Sequence, residues 1–147
     1  MYNMNIEAEH YGVNVADIDR SIEFYRDVLG FELAEQFSAD GEKQGELIGV
    51  PQATGELAFI DTGTFQIELI EYDTPPNDRI YDSVDMHDIG ITHLCFEVEN
   101  VDSWHKKLKD DVEFETNPLI LEGGVKIAYF YDPDGNQLEL LETDVNQ

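Results

Sequence analysis

The chain has 147 residues, 41% of them hydrophobic, which is enough for the core of one compact domain or of two small modules. Its 33 Asp and Glu against 8 Lys and Arg give a formal net charge of -25, which repels nucleic-acid phosphates and anionic membranes and excludes both as partners. The single cysteine, Cys95, excludes an intramolecular disulfide and a cysteine-cluster metal site, and it reads as a small buried side chain.

The opening MYNMNIEAEH has no basic start followed by an apolar run. No later stretch approaches the roughly 18 apolar residues of a membrane span, so a soluble, cytoplasmic protein is expected. The acids are spread between patterned apolar residues, as in DIDRSIEFYRDVLGFELAEQF, rather than gathered in a tail. That surface resembles those of proteins from salt-in halophiles, where molar salt shortens the Debye length to about 3 Å and screens self-repulsion.

In chain order, a first strand is expected near residues 8–16. A helix follows over 17–29, with Asp17 as N-cap, Ile18, Ile22, Tyr25 and Leu29 on its buried face, and Gly30 as its stop. Strands are then expected near 31–37, 56–62 and 65–72. The Pro pair and polarity of DTPPNDRIYDSVDMHD mark a linker, giving a first module over 1–72, a linker over 73–90 and a second module over 91–147. The second module is read as a strand near 91–98, a helix over 101–109 with Asn100 as N-cap, and strands near 112–116, 125–131 and 137–142. In that helix Val101, Trp104 and Leu108 share one face.

The two modules repeat each other. FIDTGTFQIELIE (59–71) lies over FYDPDGNQLELLE (130–142) without gaps, so that Phe59, Asp61, Gln66, Glu68, Leu69 and Glu71 recur as Phe130, Asp132, Gln137, Glu139, Leu140 and Glu142. Likewise HYGVNVADIDRSIEFY (10–25) matches HLCFEVENVDSWHKKL (93–108), with His10 on His93. Strand alternation puts Tyr11, Val13 and Val15 toward the helix and His10, Gly12 and Asn14 opposite. In the second module Leu94, Phe96 and Val98 face the helix and His93, Cys95 and Glu97 lie opposite. Glu68 and Glu139 share the histidine faces, where each would otherwise be an acid desolvated in an apolar strand. If two such sheets curl toward each other, two His and two Glu converge, a donor set that suits Zn, Ni, Co, Mn or Fe(II).

At these residues the chain resembles the vicinal oxygen chelate superfamily, of which glyoxalase I is the best-known member. HYGVNVADIDRSIEFYRDVLGFE is similar to its N-terminal signature, and ITHLCFEVENVD and DPDGNQLELLE to parts of its second module. The resemblance implies an α+β fold of two βαβββ modules, forming an open, curled barrel of mixed sheet with helices outside. It implies one divalent metal held by His10, Glu68, His93 and Glu139, a small-molecule substrate, and a homodimer. The ligand set is like that of bacterial, metal-dependent glyoxalase I, which isomerises a 2-oxoaldehyde–thiol hemithioacetal to a 2-hydroxyacyl thioester through a metal-bound enediolate. By that likeness Glu139 is the first candidate for the base and Glu68 for its partner.

Other readings compete. A lone His at a strand start is usually a satisfied core or surface residue; the matched glutamates are what favour ligation. Glu71 and Glu142 fall on the opposite face at strand ends, where solvated carboxylates are usual. His87 and His105 read as surface residues, DPDG as a hairpin turn, and Trp104 and the tyrosines as core, with Tyr129 or Phe130 as candidate pocket walls. A glutathione-like thiol would need cations, and of the eight in the chain, Arg79 among them, Lys126 and Arg20 are the ones proposed for that task. His10, His93 and Glu139 alone would suit an Fe(II) extradiol-type dioxygenase. A CoA-thioester epimerase, a fosfomycin-modifying transferase and a non-catalytic drug-binding module are the remaining alternatives within the superfamily.

Overall fold

Residues 66–74, QIELIEYDT, alternate in burial: Ile67 and Leu69 are fully buried on one face, and Gln66 and Glu68 are half-buried on the other. Such a strand belongs inside a sheet covered on one side. In the computed structural model, which describes residues 6–77 and 85–145, it is β4 (Gln66–Thr74) of the first of two compact units, Met1–Arg79 and Ile80–Gln147. The linker expected over 73–90 and the cation Arg79 fall partly or wholly outside the described residues.

The first unit runs β1 (His10–Asn14), α1 (Ile18–Glu23), β2 (Glu32–Ala39), α2 (Glu42–Ile48), β3 (Thr54–Asp61) and β4, with sheet order β1-β4-β3-β2. β1 runs parallel to β4, a pairing that needs a long crossover and has one in the segment from α1 to β3, and the other pairs are antiparallel. Asp17 caps α1 as expected, its Oδ1 accepting from the Arg20 amide at 3.0 Å. The helix ends in a π-helical turn over Phe24–Val28, with the Leu29 amide donating to the Phe24 carbonyl at 3.0 Å, and Gly30 at φ 84° turns the chain into β2. Ile18, Ile22, Tyr25 and Leu29 are all buried, as are Ala58, Ile60, Ile67 and Leu69 on the two strands that α1 packs against.

The second unit has β5 (His93–Glu97), α3 (Val101–Leu108), β6 (Leu119–Leu121), β7 (Val125–Tyr131) and β8 (Gln137–Glu142), in the order β5-β8-β7-β6. β5 is parallel to β8, and Asn100 caps α3 by accepting from the Ser103 amide at 2.8 Å. Val101, Leu108, Ala128, Phe130, Leu138 and Leu140 form its buried side. The expected α+β class is therefore seen, with the βαβββ order in the second unit and the same order interrupted by α2 in the first. No helix among the described residues is long and apolar enough to cross a membrane.

Two elements differ from expectation. No element is expected between the strands near 31–37 and 56–62, where α2 stands. The strand expected at 112–116 shrinks to one bridged pair, Phe114 with Phe130, and pairing with β7 resumes only at Leu119. Residues 115–118 there face only 128 and 129, a bulge that contains Pro118, which has no amide hydrogen to give the ladder. In β2 a register shift between Leu33 and Glu35 turns Phe37 to the Glu68 face, where it stacks on Phe59 with ring centroids 6.2 Å apart.

Glu71 and Glu142 lie on the helix face as expected, but they are not simply solvated strand ends. Glu71 Oε2 accepts from the Ile18 amide at 2.8 Å and Glu142 Oε2 from the Val101 amide at 2.8 Å, so each strand carries a carboxylate to the first amide of its own unit's helix. Replacing Glu142 with alanine is expected to lower unfolding stability by about 1 kcal/mol, read as an earlier urea midpoint at unchanged slope.

Candidate functional site

The repeated histidine and glutamate meet within each unit because a parallel strand pair brings them there. His10 lies opposite Gln66 on β4 and leans toward Glu68, two residues along on the same face; His93 stands likewise to Glu139 on β8. His10 Nε2 is 3.1 Å from Glu68 Oε2, and His93 Nε2 is 2.9 Å from Glu139 Oε2. Two donors about 2.1 Å from one metal and at right angles to each other stand about 3 Å apart, so both separations fit adjacent ligands of a divalent ion. Among the described residues no three or more His, Cys, Asp or Glu side chains gather into a metal-sized cluster, and each unit presents its pair by itself.

The two pairs are unequal. Glu68 lies between Gly12 on β1 and Phe59 on β3, which offer it no polar side chain, and its own side chain is 15% exposed. Glu139 lies between Cys95 on β5 and Tyr129 on β7, with its side chain 8% exposed. The Tyr129 ring meets His93 edge-on at 5.3 Å. Desolvation raises the Tyr129 phenol, and the charge of Glu139 and its acceptance of a hydrogen bond add to the rise. The same causes in the same order push the Cys95 thiol up to about 11, which keeps it protonated at neutral pH. Cys95 is exposed, not the buried side chain expected, because alternation sets it on the open face of β5 with His93.

Each imidazole is held at its other nitrogen by the residue before it. Glu9 Oε2 contacts His10 Nδ1, and Thr92 Oγ1 is 2.8 Å from His93 Nδ1. The His10 pKa is raised, chiefly by the bond to Glu9; desolvation opposes the rise, and Glu68 adds to it. Sequence reasoning passed over Glu9 and Thr92, although their place beside the repeated histidines was the available signal.

The cations proposed for a thiol carboxylate face the wrong way. Lys126 shares the helix side of β7 with Ala128 and Phe130, and its Nζ is 2.5 Å from Asp102 Oδ2 on α3. Arg20 is exposed on α1, which covers the face of the first sheet opposite Glu68. Of the candidate walls, Tyr129 is on the Glu139 face and Phe130 is buried on the other. His87 is exposed as expected, whereas His105 is half-buried with its ring 4.5 Å from that of Phe114.

Two matched βαβββ units, each with one His–Glu pair on its open face, define a class of protein. The chain belongs to the Glyoxalase/Bleomycin resistance protein/Dioxygenase superfamily, whose family model matches residues 8–140. It is similar to a probable lactoylglutathione lyase of Synechocystis sp., at 28% identity over 140 residues, covering 91% of this chain and 93% of that one. It is 30% identical over 148 residues to a 2-epi-5-epi-valiolone epimerase of Actinomyces sp., covering 92% and 79% of the two chains. A glyoxalase family protein from Bacillus cereus shares its fold with a TM-score of 0.85 at 23% identity, over 95% of each chain.

Proposed function

We propose that the chain is a metal-dependent lyase of the glyoxalase I type, isomerising the hemithioacetal of a 2-oxoaldehyde and a thiol to a 2-hydroxyacyl thioester. The observation that carries this reading is the recurrence of one pair geometry in both units, with His Nε2 to Glu Oε2 at 3.1 and 2.9 Å. In this reading His10, Glu68, His93 and Glu139 hold one divalent ion of Ni, Zn, Co, Mn or Fe. That ion would supply a Lewis acid for the vicinal oxygens of the substrate. Glu139 takes the proton from the carbon that bears sulfur, and Glu68 serves as its partner in returning a proton to the neighbouring carbon. Tyr129 and Cys95, across the adjacent strands, confine the Glu139 carboxylate. The low-identity likeness to a lyase supports the class; the 30% identical relative named an epimerase favours, as second reading, proton transfer beside a carbonyl without thioester formation.

The test is elemental analysis of protein purified at high salt, then turnover of methylglyoxal with several thiols after chelation and return of each metal. Bound divalent metal and thiol-dependent thioester formation are expected. A protein that neither carries nor takes up such a metal would instead be a non-catalytic binding module, and thiol-independent consumption of a catechol with oxygen would make it a dioxygenase.

A further inference from the structure

Each imidazole is gripped from both ends, by a glutamate at Nε2 and by the preceding residue at Nδ1. The two preceding residues differ in what they can do. Both carboxylates facing His10 lack a hydrogen to give, but Glu9 is hydrogen-bonded to Nδ1 whereas Glu68, 3.1 Å from Nε2, acts through its charge, so Glu9 holds the hydrogen on Nδ1. A threonine hydroxyl both gives and accepts, so Thr92 satisfies His93 in either tautomer.

The geometry points to Glu9 as a positioning residue: it fixes the Nδ1–H tautomer of His10 and so presents the Nε2 lone pair on the Glu68 face, whereas Thr92 leaves the tautomer of His93 to its Nε2 partner. The inference rests on the metal-dependent reading above. A carboxylate behind a ligating imidazole orients the ring and strengthens its free nitrogen as a donor. Phe59, whose ring meets His10 edge-on at 5.9 Å, has no polar atom with which to replace Glu9. Without Glu9, the Glu68 carboxylate 3.1 Å from Nε2 would draw the hydrogen to that nitrogen, the one a metal needs free.

The test compares the whole protein with Glu9→Ala, Glu9→Gln and Thr92→Val in concentrated KCl. Glu9 is exposed, and its substitutions leave the core intact. Long-range proton–nitrogen spectra of the metal-free protein read the His10 tautomer, and titration calorimetry reads the Kd for Zn2+. Glu9→Ala is expected to move His10 toward Nε2–H and to weaken Zn2+ binding by about 10-fold or more. Glu9→Gln, whose amide can give as well as accept like the Thr92 hydroxyl, should shift the tautomer as Glu9→Ala does, and Thr92→Val should leave His10 unchanged. An unchanged His10 tautomer in Glu9→Ala overturns the inference, as does an unchanged Kd in a protein that binds Zn2+. A wild-type chain that binds no metal overturns the metal reading instead, and the tautomer spectrum alone then decides the role of Glu9.

Discussion

Glu139→Gln is expected to lower kcat by about 100- to 10,000-fold, the usual contribution of a positioned general base. The amide keeps the size of the side chain and a polar group beside His93, Tyr129 and Cys95, but it cannot take a proton. It also takes a negative charge out of a side chain only 8% exposed, a gain that offsets the lost pairing with His93 2.9 Å away, so unfolding stability should change little in the metal-free protein. Zn2+ affinity should fall as well, because a carboxylate donor is lost. Lost turnover with retained stability is the signature of a functional carboxylate; lost stability with retained turnover is that of a structural one. The comparison needs Glu68→Gln beside it. Glu68 stands between Gly12 and Phe59, neither of which offers it a polar side chain, and as the partner group it should give the smaller loss in kcat. Full turnover in Glu139→Gln at saturating metal would remove it as the base.

What could be read from the sequence was whatever repeats with a fixed period. The alternation in QIELIE and QLELLE placed Ile67, Leu69, Leu138 and Leu140 in the cores and set Glu68 and Glu139 opposite them. Asp17 and Asn100 were legible because a side-chain acceptor before a helix has one local task. Asp61 and Asp132 recurred for a turn rather than for chemistry: Asp61 accepts from the Gly63 amide at 2.7 Å, and Asp132 from the Asp134 and Asn136 amides at 2.9 Å each. α2 was hidden because EKQGELI has no apolar stripe. Gly45 is its buried residue, Leu47 is 82% exposed, and a Cβ on Gly45 would lie 2.7 Å from the Val50 carbonyl. β6 was hidden because Leu119, Ile120 and Leu121 are all exposed at a sheet edge, with no buried face to impose alternation. The roles of Glu71 and Glu142 were missed because each bonds an amide 53 or 41 residues earlier, a contact no local pattern encodes.

Removing salt is expected to unfold the chain. Of its 33 acidic residues, only Asp132 and Glu139 are buried among those described, so nearly all the negative charge lies at the surface. Eight cations cannot offset it, and in the pairs Arg26–Asp27 and Lys126–Asp102 each cation neutralises a single carboxylate. At about 0.01 M salt the Debye length is about 30 Å, so charges across a whole unit repel one another; at about 1 M it is about 3 Å and only neighbours do. The melting midpoint in KCl should therefore climb by more than about 10 °C from dilute to molar salt, a change of a few kcal/mol for chains of this size. Two mechanisms could produce such a rise, and they separate by its shape. Screening of self-repulsion saturates by about 1 M and depends on ionic strength alone. Strengthened apolar burial continues to grow with concentration and is larger in sulfate than in chloride. The charge pattern predicts the saturating, ion-independent part, and neutral sucrose should reproduce none of it. A melting midpoint in dilute buffer equal to that in molar KCl would show that the acidic surface is tolerated without salt, and the turnover assays could then be run at any ionic strength.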